Sequence, residues 1–200
     1  MNIKVIDKTM FRQMPWANGG GVTTELFVQK DESSGRILWR LSMAGVDTDG
    51  PFSHFAGYDR ILVLLEGQGL RLRHKDGTEH ALSSLYDLAS FPGDAETHAI
   101  LAGGPVKDFN VIADRSMFRP AVTVLQAGDN NRVSISASVL AVFAVDNDLV
   151  IVDSDTGSHH LPKGDLLLVH GPREGDWSFS GGTAIVIQIL EIGELGSNRN

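Results

Sequence analysis

The amino-acid sequence predicts an all-β protein. Short runs of β-branched and aromatic residues recur along the chain, and turn signals rich in Gly, Pro and Asp separate them. No long stretch places apolar residues at the three- and four-residue spacing of an amphipathic helix. Many short strands with frequent turns are typical of a β-sandwich or a β-barrel.

The predicted strands follow one another from the first glycine-rich segment to the C-terminal region. In chain order they cover residues 22–28, 37–43, 61–65, 70–73, 106–113, 122–125, 139–145, 149–152, 166–169 and 183–192. Turn signals such as Asp76-Gly77 and Pro92-Gly93 lie between them, where glycine and proline favour reversals of the chain.

A weak internal repeat predicts how these strands are divided. The segment LRLRHKDGTEHAL (70–82) aligns with VIVDSDTGSHHLP (150–162), so that Gly77 meets Gly157 and His80 meets His160. Such self-similarity indicates two copies of one β-domain, joined near residues 116–120. The expected domains are therefore residues 1–115 and 116–200. The alternative is chance similarity between two β-hairpins.

Composition excludes several classes of function. The 200 residues carry a formal net charge of −8, and the 17 Lys and Arg are scattered, which argues against nucleic-acid binding. No apolar run reaches the length of a membrane span, and the N-terminal residues lack the pattern of a signal peptide. Cysteine is absent, which excludes disulfides and thiolate chemistry. We expect a cytoplasmic protein without nucleic-acid or membrane partners.

Motifs for metal-dependent or nucleophilic catalysis are missing. The tight histidine pair is His159-His160, and adjacent residues of a strand point to opposite faces, so they rarely bind one ion. His54 and His98 stand alone. No Gly-x-Ser-x-Gly elbow exists, and no Gly-Lys-Ser/Thr follows the glycine run at 19–21. We therefore expect no metal, no cofactor and no assignable catalytic residue.

Polar residues inside the predicted strands indicate where a functional site could lie. In ILWRLSMAG (37–45), Arg40 and Ser42 share one face by the two-residue period of a strand. In VKDFNVI (106–112), Asp108 and Asn110 likewise project side by side. The two alternatives are a solvated sheet face and a polar pocket inside a barrel. In a pocket these groups would need hydrogen-bond partners.

Together these segments resemble the HutD/Ves family, which is associated with histidine utilisation in bacteria. The resemblance rests on PWANGGGVTTE (15–25), WRLSMA (39–44), GPFSHFAGYDR (50–60), FPGD (91–94) and GPVKDFN (104–110). It implies a cupin-like fold with two jelly-roll-type β-barrels in one chain, a bicupin. The motifs end at residue 110, so the second half adds strand pattern and the weak repeat.

The resemblance also implies what occupies the pocket of the first barrel. Metal-binding cupins carry a Glu seven residues before a Gly, and aligning that Gly with Gly67 puts Arg60 in the Glu position. The expected pocket is therefore metal-free, with an arginine in place of a metal ligand. Residues 16–21 are expected to fold against its mouth, where glycine backbone N–H groups and the Asn18 amide donate to an anion. The alternative is a tight turn without a ligand.

The implied function is non-catalytic binding of a small carboxylate, such as urocanate or formylglutamate, in the regulation of histidine breakdown. The expected ligand-binding residues are Trp16, Asn18, Gly19, Gly20, Glu25, Arg40, Ser42, Phe52, Ser53, Arg60, Phe91, Asp108 and Asn110. Arg40 or Arg60 would hold the carboxylate through a planar guanidinium fork. Trp16, Phe52 and Phe91 would form apolar walls.

Two other functions remain open at the level of the sequence. A metal-independent isomerase or hydrolase would use Asp108 or Glu25 as general base, after burial had tuned its pKa. A structural or protein-interaction module would instead expose a large apolar patch. The oligomeric state is not predicted.

Overall fold

The computed structural model describes residues 2–16 and 19–193 and confirms the all-β class. Apart from a three-residue 3-10 helix, Lys8–Met10, and 3-10 structure at residues 192–193, the regular structure of this described part is β. The strands in chain order are β1 (Asn2–Ile6), β2 (Arg12–Pro15), β3 (Gly21–Lys30), β4 (Ile37–Val46), β5 (Gly50–Pro51), β6 (Tyr58–Glu66), β7 (Leu70–His74), β8 (Glu79–Leu82), β9 (Leu88–Pro92), β10 (Thr97–Leu101), β11 (Val106–Asp114), β12 (Phe118–Leu125), β13 (Gly128–Ala144), β14 (Leu149–Asp153), β15 (Gly157–Leu161), β16 (Leu166–Gly181) and β17 (Ala184–Glu191). No helix in the described residues is long and apolar enough to cross a membrane.

The chain forms two compact units, which are interleaved in sequence. The first unit is Phe11–Phe118, and the second combines the described residues up to Met10 with those from Arg119 onward. The boundary expected from the sequence, after residue 115, lies three residues before this one. The expected first domain began at residue 1, whereas β1 pairs with β16 and so belongs to the second unit.

The first unit is built from two antiparallel sheets. One has six strands in the order β2-β3-β4-β11-β6-β9, and the other has four in the order β5-β10-β7-β8. Apolar side chains from both sheets pack into one cluster: Val46, Leu62, Leu64, Leu70, Leu72, Leu82, Ala89, Phe91, Ala99 and Val106. The inner faces of the two sheets therefore form the core of this unit.

The second unit is a single seven-stranded sheet. Its main order is β12-β17-β13-β16-β14-β15, and β1 also pairs with β16. Side chains from distant strands of this sheet form one buried cluster that includes Leu140, Ile151, Val169 and Val186. The strands β13 and β16 are much longer than the sequence predicted. Their outer segments, around Ser134 and Asp176, contain many polar residues, and that of β16 also contains Gly171 and Gly175; both features weaken the sequence signal for a strand.

The repeated segments form matching hairpins, one in each unit. In the first unit β7 and β8 pair from Leu70 with Leu82, and in the second β14 and β15 pair from Leu149 with Leu161. Gly77 lies in the turn before β8 and Gly157 is the first residue of β15, and both have positive φ, 90° and 85°, which glycine adopts at little steric cost. The sequence repeat therefore corresponds to a shared piece of structure.

Candidate functional site

A cavity of about 370 Å³ opens into the first unit on the inner face of the six-stranded sheet. Its lining combines two arginines, one carboxylate, small polar side chains and aromatic rings. These residues are Trp16, Thr23, Arg40, Ser42, Ala44, Pro51, Phe52, Ser53, Phe55, Arg60, Asp108, Asn110 and Ile112. Both the volume and the mixture of apolar walls with a few polar groups are ordinary for a small-molecule site.

Strand register brings the polar side chains together. On β11, Asp108 and Asn110 lie two residues apart and share a face. Across the sheet Asn110 is paired with Ser42 of β4, and Ile112 is paired with both Arg40 and Arg60 on its two neighbours. The polar pocket predicted as one of two alternatives is therefore the one that forms, because the solvated face would have required these side chains to be exposed.

Arg60 is the most unusual residue of the cavity. It is the third residue of β6, directly before the apolar run at residues 61–65, and it is 7% exposed. Its guanidinium carbon lies 4.6 Å from the ring centre of Phe52, 5.9 Å from that of Phe55 and 5.6 Å from that of Phe91. The quadrupoles of these rings attract a cation, and this attraction partly offsets the loss of hydration.

A hydrogen-bonded chain links Arg60 to a buried carboxylate. Nε and Nη2 of Arg60 both donate to Oδ1 of Asn110, at 2.9 Å and 2.6 Å. Nδ2 of Asn110 in turn donates to Oδ1 of Asp108. Asp108 is fully buried, and its second oxygen, Oδ2, has no hydrogen-bond partner among the described residues. The side-chain amide of Asn110 thus connects the guanidinium of Arg60 to the carboxylate of Asp108 through hydrogen bonds.

Burial and mutual attraction set the charge states of this pair. Burial lowers the pKa of Arg60 to about 10, against the opposing charge of Asp108, while the charge of Arg40 lowers it further. Burial raises the pKa of Asp108 to about 6, and the charge of Arg60 together with the Asn110 hydrogen bond opposes this rise. Near pH 7.5 the arginine is therefore charged and the aspartate is mainly ionised.

The second arginine of the cavity is paired. Nε of Arg40 lies 3.0 Å from Oε2 of Glu25, and the two side chains are 14% and 19% exposed. Glu25 itself does not line the cavity. It lies on β3, whose register with β4 pairs Glu25 with Ser42, so its carboxylate approaches Arg40 from the neighbouring strand. Glu25 thus neutralises Arg40 rather than Arg60.

The glycine-rich segment supports the cavity wall instead of lining the cavity. Gly19 donates its backbone N–H to the carbonyl of Trp16, and the carbonyl of Gly20 accepts from Asp47. A Cβ atom on Gly21 would lie 2.1 Å from the carbonyl oxygen of Gly45. Gly19 and Gly20 do not line this cavity. Asn18 lies outside the described residues.

Trp16 does line the cavity, as expected. Its indole Nε1–H donates to Oγ1 of Thr23 at 2.8 Å, which fixes the ring as a wall. Phe52 and Ser53 also line the cavity. Phe91 does not; it lies behind Arg60 and packs against the ring of His74 at 5.0 Å between centroids. Its place in the apolar wall is taken by Phe55.

Sequence reasoning missed five lining residues: Thr23, Ala44, Pro51, Phe55 and Ile112. For Ala44 and Ile112 a signal existed, because each continues the two-residue alternation of a face already identified on β4 or β11. Phe55 and Pro51 lie in the segment that also supplies Phe52, but only the folded chain decides which of these rings faces inward. No group of three or more histidine or acidic side chains in the described residues is arranged to hold a metal ion.

Comparisons with known proteins agree on one family. The HutD family model matches residues 8–187. A relative from Pseudomonas putida, described as an uncharacterized 21.2 kDa protein in the hutC 3' region, is 32% identical over 164 residues, which cover 82% of this chain and 85% of the relative.

Two solved structures extend this similarity to the fold. A conserved protein of unknown function from Pseudomonas aeruginosa PAO1 is 30% identical, with a TM-score of 0.85 over 95% of this chain and 100% of that one. HutD from Pseudomonas fluorescens SBW25, determined in a formate condition, is 28% identical, with a TM-score of 0.82 over 95% of this chain and 99% of that one.

Proposed function

The chain belongs to the HutD family, and we propose that it binds a small carboxylate in the cavity lined by Arg60. In this proposal it is a cytoplasmic, non-catalytic protein that takes part in the regulation of histidine utilisation. Urocanate and N-formylglutamate are the candidate ligands. The family membership and the position of the Pseudomonas putida relative beside hutC support the link to histidine utilisation.

The observation that carries the proposal is the state of the Arg60 guanidinium. An arginine has five N–H donors, and Asn110 uses only Nε and Nη2 on one side of the group. Nη1 has no hydrogen-bond partner among the described residues. The end of the guanidinium, formed by Nη1 and the second hydrogen of Nη2, therefore remains available for the two oxygens of a carboxylate.

Charge supports the same conclusion. A buried cation needs an anion nearby, and Arg60 reaches Asp108 only through the neutral amide of Asn110. Arg40 adds a second cation at the cavity, partly compensated by Glu25. A ligand carboxylate would complete the compensation of Arg60, while Trp16, Phe52 and Phe55 would cover the apolar part of the ligand.

One observation favours an enzyme instead. A carboxyl whose pKa is raised to about 6 is suited to act as a general base near neutral pH, and Asp108 has this property. Against catalysis, Asp108 is the single carboxyl among the described lining residues, and no His, Tyr or Lys accompanies it as a partner in proton transfer. A binder therefore explains more of the site.

Calorimetry combined with an assay for turnover separates these functions. Urocanate and N-formylglutamate are titrated into the purified protein, and the mixtures are then analysed by chromatography. Saturable heat at one ligand per chain, with the ligand recovered unchanged, supports the binder. Consumption of the ligand by the protein would support an enzymatic function. The absence of heat with both compounds would contradict the proposal.

The two-barrel architecture is a further part of the proposal. We propose that the two units are the two jelly-roll-type barrels of a bicupin. The matching hairpins β7–β8 and β14–β15 support this, as does the separate buried core of each unit. A crystal structure in which the seven-stranded sheet stays open, without the closure of a jelly roll, would contradict it.

A further inference from the structure

The unsatisfied oxygen of Asp108 narrows the class of ligand. Oδ1 of this carboxylate accepts from Nδ2 of Asn110, whereas Oδ2 has no partner in the described part of the chain. The residue is 0% exposed, so bulk water does not hydrate the oxygen either. An unpaired carboxylate oxygen at such a position is costly, and a donor is needed to satisfy it.

The neighbouring strands cannot supply that donor from the positions nearest to it. Asp108 of β11 is paired with Ala44 on β4 and with Leu64 on β6. Both side chains are apolar and have no hydrogen to donate. The donors of Arg60 that point toward β11 are already used by Asn110. No described residue donates to Oδ2, and a ligand in the cavity, which Asp108 helps to line, could supply the donor.

The charge state of Asp108 decides that it accepts rather than donates. Burial raises the pKa of Asp108 to about 6, and the charge of Arg60 together with the Asn110 hydrogen bond opposes any further rise. At pH 7.5 the carboxylate is mainly ionised and has no proton to give. The orientation of Asn110 is fixed as well, because its Oδ1 receives two N–H groups of Arg60, so its Nδ2 must face Asp108.

We infer that the cavity selects carboxylates that also carry an N–H donor, and that Oδ2 of Asp108 accepts the hydrogen bond from this N–H while the end of the Arg60 guanidinium holds the carboxylate. The inference rests on the proposed function and specifies the ligand class, an N-acylated amino acid or an imidazole-bearing acid. The torsion between Cβ and the carboxylate carbon of Asp108 is soft, so a small rotation turns Oδ2 toward the ligand.

The experiment compares ligands that differ in this N–H alone. One pair is urocanate and 3-(oxazol-4-yl)acrylate, and the other is N-formylglutamate and its ester isostere, O-formyl-2-hydroxyglutarate. In each pair an oxygen replaces the N–H, while the carboxylates and the overall size are preserved. Calorimetry at pH 7.5 should give about 10- to 100-fold tighter binding for the N–H member of at least one pair.

The variant Asp108→Asn provides a second test of the inference. Nδ2 of Asn110 still needs an acceptor, so the new amide must turn its oxygen toward Asn110 and place its own N–H₂ where Oδ2 was. The variant should then lose the preference for the N–H ligand or prefer the oxygen isostere. Asp47→Asn, at an exposed position of the same unit, is the matched control and should retain the wild-type preference.

Each outcome is decisive. Equal affinity of wild type for both members of each pair overturns the inference and leaves carboxylate binding intact. Equal affinity together with proton uptake on binding, measured in buffers of different ionisation enthalpy, would mean that Asp108 donates as an acid, which also overturns it. Binding of none of the four compounds overturns both the inference and the proposed function.

Discussion

Arg60 and Asn110 form a two-pronged contact in which Nε and Nη2 of the arginine both donate to the one side-chain oxygen of the asparagine. Such a contact requires a planar group with parallel N–H bonds, which arginine has and lysine lacks. It fixes the plane of the guanidinium and therefore the direction in which its unused end points.

Arg60→Lys should weaken the binding of urocanate or N-formylglutamate by about 1–3 kcal/mol, because an ammonium group cannot hold Asn110 and a carboxylate in the same fixed geometry. Calorimetry on wild type and variant measures the difference. Arg71→Lys is the matched control, since Arg71 is exposed on the outer side of β7. Unchanged affinity in an Arg60→Lys protein that melts normally would shift the carboxylate site to Arg40.

Glu25→Gln should strengthen binding of the same carboxylates about two- to fivefold. The substitution removes the charge that lies 3.0 Å from Arg40, and the charge of Arg40 is felt at Arg60, whose pKa it lowers. The cavity therefore becomes more positive, by an amount comparable to a partly exposed ion pair. Glu66→Gln, which breaks the exposed pair with Lys107, serves as control. Weaker binding of the carboxylates by Glu25→Gln would instead mean that Glu25 orients Arg40 for ligand binding.

Asp108 should make the protein more stable as pH falls from 7.5 to 5. The folded pKa of about 6 exceeds the ordinary value of 3.8, so the folded state binds this proton more tightly than the unfolded state does. This stabilisation is complete below the pKa that Asp108 has in the unfolded state, and it is lost as pH rises through the pKa that Asp108 has in the folded state. Between pH 7.5 and 5 it amounts to about 1 kcal/mol. On the two strands paired with β11, the charged groups that line the cavity with Asp108 are Arg40 and Arg60.

The measurement is the free energy of unfolding of wild type minus that of Asp108→Asn, from urea denaturation at both pH values. The subtraction is needed because the lowered pKa values of His74 and His170 have the opposite effect: their burial favours the neutral form, so they destabilise the fold as pH falls below 6.5. A wild-type minus variant difference that does not change with pH would show that Asp108 titrates normally.

Gly21→Ala should destabilise the first unit by about 3 kcal/mol, because the added Cβ would lie 2.1 Å from the carbonyl oxygen of Gly45 and 3.2 Å from the ring of Trp16. The strands would have to separate, since a backbone oxygen cannot move aside alone. Gly45→Ala is the control on the facing strand, where the nearest atom to a new Cβ is the Val22 oxygen at 4.0 Å. Equal melting temperatures for the two variants would contradict this account.

The pairing of functional side chains along single strands was predictable from the sequence, because the two-residue alternation is a local property. It placed Arg40 with Ser42, and Asp108 with Asn110. The contacts between strands were not predictable in the same way. That Glu25 meets Arg40, and that Asn110 separates Arg60 from Asp108, depends on the register of strands far apart in the chain.

The glycine-rich segment makes a contact that the local sequence does not predict. The sequence indicates that some group approaches residues 19–21 closely, since glycine is the residue that permits it. The sequence-based prediction was that this group is a ligand bound in the cavity. In the structure Gly21 meets the backbone of Gly45, a partner that no window of neighbouring residues contains.

The pairing of β1 with β16 has a consequence for how the second unit folds. It joins parts of the chain that lie 160 residues apart, since Ile6 pairs with Leu166. One side of β16 is paired with β13, while the other side is shared between β14 at the C-terminal end and β1 at the N-terminal end. Until β1 docks, residues 166–170 of β16 present an open strand edge, which invites pairing with another chain. Closing so long a loop costs conformational entropy, so this part of the edge is protected only once the distant β1 has found it.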